Sequence, residues 1–212
     1  MTALTSPLAI GPRLALELRR DPPRCGQLAD ERRAALFGRS ASIRVVPERP
    51  QPRADIVVER GDVRLELDAL PEATDWRAGD CVLVAIEPGD EAGCERYVAW
   101  LARLASVPRD CSLAPWSRAP GGTARLWAIA VARLLVPDHV HVEARHDLIG
   151  LRLAQIALAF GADTLAGPVA ADRKLPVAGV TRPTEATLGG LRNLITQAGL
   201  EPLSPISAEP SP

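Results

Sequence analysis

Aromatic side chains make up only 3% of the 212 residues. Leu, Val and Ala must therefore fill whatever core this chain builds. No run of about 18 apolar residues is present, so no helical membrane span is expected. Met1 to Ile10 lacks the basic start, apolar centre and small-residue cleavage site of a secretory signal, and a cytoplasmic protein is the expectation. Neither sign of charge dominates: 25 basic against 26 acidic residues leave a net charge of -1, with no electrostatic footprint for nucleic acid or an anionic membrane. The four cysteines, Cys25, Cys81, Cys94 and Cys111, lie too far apart for a compact metal knuckle. They read as reduced thiols rather than a disulfide framework. Phosphate-binding turns are missing too. Gly121-Gly122 has no following G-K-S/T, and Gly189-Gly190 falls inside a helical pattern.

What is present divides near residue 80. Before it the pattern is irregular, with a helix over Leu14 to Arg20, an interruption at Pro22-Pro23, and a second helix from Leu28 to Phe37 that Gly38 ends. Ile43 to Val46 reads as a strand. After the Pro-rich run Pro47 to Pro52, Asp55 to Glu59 and Val63 to Leu67 form a hairpin around Gly61-Asp62, and alternation places Val63, Leu65 and Leu67 on a face expected to be buried. From Cys81 the period changes to strand and helix in turn: Cys81 to Ile86 then Glu91 to Ala105, Cys111 to Ala114 then a helix capped by Thr123, His139 to Ala144 then Leu148 to Phe160. Thr164 to Val169 is a short strand or loop. A last helix spans Thr184 to Ala198, with Thr184 as its cap, and a tail follows. Repeated βα units predict parallel strands with right-handed crossovers. Three regions are expected: an α+β segment over 1–79, a βα region over 80–203, and a flexible tail over 204–212.

Particular strings in the second region carry a family resemblance. Trp127-Ala-Ile-Ala-Val-Ala-Arg-Leu-Leu-Val136, His141-Val-Glu-Ala-Arg-His146, Ala157-Leu-Ala-Phe-Gly-Ala-Asp163 and Leu194-Ile-Thr-Gln-Ala-Gly199 occur in that order, with Arg96 to Leu104 as a looser upstream match. In order and spacing they resemble the C-terminal half of the radical S-adenosylmethionine barrel of aminofutalosine synthase, dehypoxanthine futalosine cyclase and deazaflavin synthase. The resemblance covers about three fifths of the chain, from Asp80 to Pro202. It implies an α/β fold of partial, half TIM-barrel-like βα repeats with an N-terminal α+β appendage, and a place in menaquinone-type biosynthesis. The departures are functional ones. The C-x3-C-x2-C loop that holds the family's iron-sulfur cluster has no counterpart, so no cluster and no other cofactor is expected. Val84-Ala-Ile-Glu-Pro88 stands where the family has a glycine-containing strand end.

Ionisable residues crowd one strand. His141, Glu143 and Arg145 alternate onto one face, with His146 and Asp147 following, and they are expected at a strand's C-terminal end, where α/β barrels build their sites. Glu143 can orient His141 for acid-base work or pair with Arg145. His141 and Glu143 are the candidate catalytic pair. Glu87, Arg145, His146 and Asp147 are candidate ligand contacts, and the ligand count is too small for a metal. Cys81 and Cys94 have no evident activating neighbour. Trp100 and Trp127 read as core, and Arg133 as a solvated or salt-bridging residue. Three functions fit: an accessory protein or pseudoenzyme binding a small metabolite or a radical enzyme partner; an acid-base enzyme using the His141/Glu143 region; and a structural oligomer, in its simplest form a homodimer.

Overall fold

The structure, a computed structural model, describes residues 10–87, 89–119, 121–170 and 186–207. The chain is mixed α/β, with one mostly parallel sheet and a layer of helices. Seven strands build most of the sheet: β1 (Ser40–Val45), β2 (Ile56–Arg60), β3 (Val63–Leu67), β4 (Cys81–Ala85), β5 (Ser112–Trp116), β6 (His141–Arg145) and β7 (Thr164–Gly167). Two more of two residues each, β8 (Glu201–Pro202) and β9 (Ile206–Ser207), both pair with β1. The order is β3-β2-β4-β5-β6-β7-β1-β8. Strands β4 to β7 and β1 run parallel, and β2 and β3 are antiparallel additions at one edge.

The helices form because the expected amphipathic stripes exist, with shifted ends. Pro22 and Pro23 begin a helix instead of interrupting one. Proline is tolerated in a first turn whose N–H groups have no intrahelical acceptor, and the Asp21 side chain caps the Arg24 N–H. Thus α1 (Pro12–Glu17) is followed by a 16-residue α2 (Pro22–Phe37) that starts six residues before the expected Leu28. Next come α3 (Glu91–Leu101) and α4 (Gly122–Leu135); Thr123 lies inside α4, and Gly121 occupies the N-cap without a side-chain bond. The helix expected over Leu148 to Phe160 is broken at Gly150 into α5 (His146–Ile149) and α6 (Leu151–Ala157). Last is α7 (Leu188–Gln197), capped by Thr187; the Thr184 expected in that role lies outside the described residues.

Helix α4 is buried continuously from Leu126 to Leu134 and has no solvated stripe, which makes it the centre of the helical layer. Both tryptophans predicted as core are core: the Trp100 indole donates to Pro71 O at 2.7 Å and the Trp127 indole to Ala15 O at 3.0 Å.

Three further expectations change. The N-terminal region is no appendage: β1 lies between β7 and β8, and β2 pairs with β4, so the boundary expected at residue 80 cuts through one sheet. Where a tail was expected from residue 204, β9 bonds to β1; residues 208–212 are outside the described residues. The hairpin also turns the other way. Arg64 faces inward to Glu59 at 2.8 Å, whereas Val63 and Leu65 are exposed. Alternation was legible, but an edge strand facing a polar interior inverts which face is dry.

Curvature brings distant strands together. Four strands separate β2 from β1 in the sheet, a span of about 24 Å if flat. Yet Arg44 of β1 approaches Glu59 of β2 to 3.9 Å. The sheet is therefore concave on the side where these two side chains meet.

Candidate functional site

Strand register assigns the concave side. Glu59, Cys81 and Ser112 are cross-strand neighbours, Ser112 pairs with His141, and Glu143 and Arg145 follow at alternate positions opposite Thr164 and Ala166; Arg44 stands beside Ala166. Aliphatic residues line the other side, under the helices. Ion pairs fill the concavity. Arg44 grips Glu143 with two hydrogen bonds of 2.6 and 2.7 Å, and the Cys81 thiol lies 3.5 Å from the same carboxylate. Arg145 donates to Glu59 at 2.5 Å and, through its other nitrogens, to both oxygens of Asp147 at 2.9 and 2.8 Å. Arg64 completes the chain at Glu59.

Three guanidinium groups thus meet three carboxylates, a neutral and mutually bonded set. Burial alone would raise the Glu143 carboxyl, but the Arg44 charge and its hydrogen bonds, helped by Ser112 and Arg145, hold it below the usual carboxylate range. Glu59 is likewise held down against its burial by Arg145 and Arg64. Both groups are committed anions at neutral pH. Neither is a proton donor there, and each already accepts a hydrogen bond at both of its oxygens.

The expected pairing of His141 with Glu143 does not occur. His141 is the first residue of β6, at its N-terminal end, so it lies two positions below Glu143 and away from the end where sites gather. Its partner is Asp163, whose Oδ1 is 2.7 Å from Nδ1. Asp163 also receives hydrogen bonds from the Val142 N–H, the Thr164 hydroxyl and the Arg133 guanidinium. Arg133 is fully buried and takes the salt-bridging one of the two roles expected of it, and it donates in addition to Gly161 O and Val140 O, both at 3.1 Å. Two of the strings that carried the resemblance, one containing Arg133 and one ending in Asp163, are therefore tied to each other by a buried ion pair. That role explains these residues as scaffold.

The other predicted contacts separate as well. The His146 ring is packed on the backbone of Gly167, where any side chain would collide with Nε2, and that nitrogen has no partner among the described residues. Glu87 stands apart from them on a groove of about 600 Å³ between the hairpin and the start of α3. The groove has an apolar floor that includes Ile56, Leu67 and Val84, with Asp68 and Arg53 on its rim. Glu87 Oε1 accepts the Arg118 N–H at 3.2 Å. The structure thus brings Arg145 and Asp147 together, places Glu143 in the same network, and puts His141, His146 and Glu87 in three other places. Arg44, Glu59, Arg64 and Asp163 were missed. Only Asp163 had a signal, as the last residue of a matched string.

His141 and His146 respond to pH in opposite directions. The Asp163 hydrogen bond raises the His141 value, with burial opposing, while burial lowers that of His146. A raised folded value gives stability that is complete below the unfolded value near 6.5 and fades as pH climbs through the folded one. The His146 contribution has the reverse sign. Thermal unfolding from pH 5 to pH 9 (about the titration range of both) should therefore show His141→Gln losing more stability at the acid end. An equal loss at every pH would remove the protonated His141–Asp163 pair from the account.

The chain matches no family model and no curated protein. The resemblance rests on the quoted strings alone. A three-thiolate cluster does not suit the residues present: Cys25, Cys81, Cys94 and Cys111 are each buried and come from α2, β4, α3 and the start of β5. Burial pushes the Cys25 thiol up to about 12 and that of Cys111 to about 11. At the end of β4, Ile86 is buried where close backbone approach would need glycine. Among the described residues no group of three His, Cys, Asp or Glu side chains could hold a metal.

Proposed function

We propose that this protein is a cluster-free relative of the radical S-adenosylmethionine barrels, retaining a half-barrel of βα units and acting as an accessory protein in menaquinone-type biosynthesis. One observation carries the reading: the polar residues of the concave face are bonded to one another, so that side is a braced wall and not a reacting surface. A binding role needs only a surface, and the groove beside Glu87 is of a size that accepts a small metabolite. The lack of a cluster loop in the sequence accounts for the same division between kept scaffold and absent radical chemistry.

The test is association with an aminofutalosine synthase-type radical enzyme. Co-sedimentation at micromolar concentration, or a several-fold change in the partner's turnover when this chain is added, supports the reading. No association and unchanged turnover would overturn the partner role. Glu87→Ala separates the groove from the rest of the surface, because Glu87 takes no part in the buried network; loss of a metabolite-dependent thermal shift in that variant alone assigns the ligand to the groove.

A further inference from the structure

The edge of the sheet opposite β8 carries a strand that is complementary to itself. β3 is the terminal strand on that side, and its sequence Val63-Arg64-Leu65-Glu66-Leu67 alternates apolar and charged residues. Val63 and Leu65 are 53% and 39% exposed, an unusual state for two apolar residues of one strand face. The preceding Gly61-Asp62 turn has Gly61 at φ 53°, which suits the first central position of a type II′ hairpin turn. A two-residue turn makes Arg60 and Val63 a hydrogen-bonded pair, so alternation directs Val63, Leu65 and Leu67 to β2. The N–H and C=O groups of Arg64 and Glu66 then point to the open edge. The Pro-rich strap before β2 touches the hairpin through side chains, Arg64 to Pro50 O and Arg49 to Asp62 O, and no backbone hydrogen bond joins it to β3 among the described residues.

We propose that this edge pairs with the same edge of a second copy of the chain, forming an antiparallel ladder with its two-fold axis at Leu65. The charges choose the register. With Leu65 against Leu65 of the partner, Val63 meets Leu67, and Glu66 comes opposite Arg64, which keeps its bonds to Glu59 and Pro50 O, twice by symmetry. Shifting by two residues one way sets Arg64 against Arg64, and the other way Glu66 against Glu66, both destabilising. In the favoured register the outward-pointing groups of Arg64 and Glu66 bond each other, and the two Leu65 side chains pack on the axis. Pairing ends after five residues, because Asp62 would then face Asp68. One strand pair buries less than the roughly 1,600 Å² of a standard interface, so a concentration-dependent dimer is expected. This holds whichever ligand or partner the rest of the surface binds.

The full chain, followed by sedimentation velocity across the micromolar range, should move from monomer mass to twice that mass. Glu66→Lys replaces both favourable pairs by repulsion at an exposed position that has no partner among the described residues, so it should leave the protein folded and abolish the dimer. Leu65→Cys should form a disulfide to its own copy under a mild oxidant, whereas Val63→Cys should not, its symmetry mate being about 13 Å away along the ladder. The four native thiols are buried and stay silent. A chain that remains monomeric at the highest concentration overturns the proposal. So does a dimer that survives Glu66→Lys, or one that cross-links through residue 63 and not 65.

Discussion

Asp163→Ala is expected to cost about 3–5 kcal/mol of folding free energy, the range for breaking a buried ion pair. The reason is the neighbour it abandons. Arg133 has no exposed surface, and among the described residues Asp163 is the carboxylate that pairs with it directly, Asp138 acting on it without an ion pair; the carbonyls of Gly161 and Val140 bond it but do not neutralise it. The change also strips acceptors from the Val142 N–H and from His141. Urea unfolding should show a fall in midpoint with little change in slope. Asp163→Asn retains an acceptor oxygen and should lose less. Arg133→Met combined with Asp163→Ala should be more stable than Asp163→Ala alone, since no unpaired charge is then buried. Additive losses in the double variant would mean that the pair is not coupled.

Glu143→Gln should cost about 3 kcal/mol, at the lower end for a broken buried pair. Arg44 keeps a little exposure and a distant second carboxylate in Glu59, both of which soften the loss. This variant also has a pH signature. Because the folded Glu143 carboxyl is held below its ordinary value of 4.5, its contribution is present above that value and lost as pH falls through the folded one. The acid limb of the stability profile should therefore flatten in Glu143→Gln. A variant as stable as the parent, with an unchanged acid limb, would show that the concave network braces nothing.

Much of the fold could be read from local pattern. The βα succession from Cys81 onward and the hairpin around Gly61-Asp62 follow from periodicity and turn chemistry, and the structure contains both. The placement of β1 could not be read that way. Its pairing with β7 joins Ser42 to Thr164, a contact between positions remote in sequence that no window contains. The site failed for the same reason. Glu143 was singled out by its strand, but its partner Arg44 comes from β1, and Glu59 from β2 is what binds Arg145. His141 was assigned to the wrong end because the strand begins at residue 141 instead of 139, two residues that decide which mouth it faces.

The position of β1 also dictates an order of events during synthesis. A strand made before the other eight cannot complete its ladder until β7, and then β8 and β9, have left the ribosome. Until then Ile43 and the rest of its apolar side have no strand partner. Such remote pairing slows folding and prolongs the time for which an unpaired edge is open to other chains. Truncating the chain before residue 200 should thus impair the refolding of its N-terminal strand, although the removed residues lie at the opposite end of the sequence.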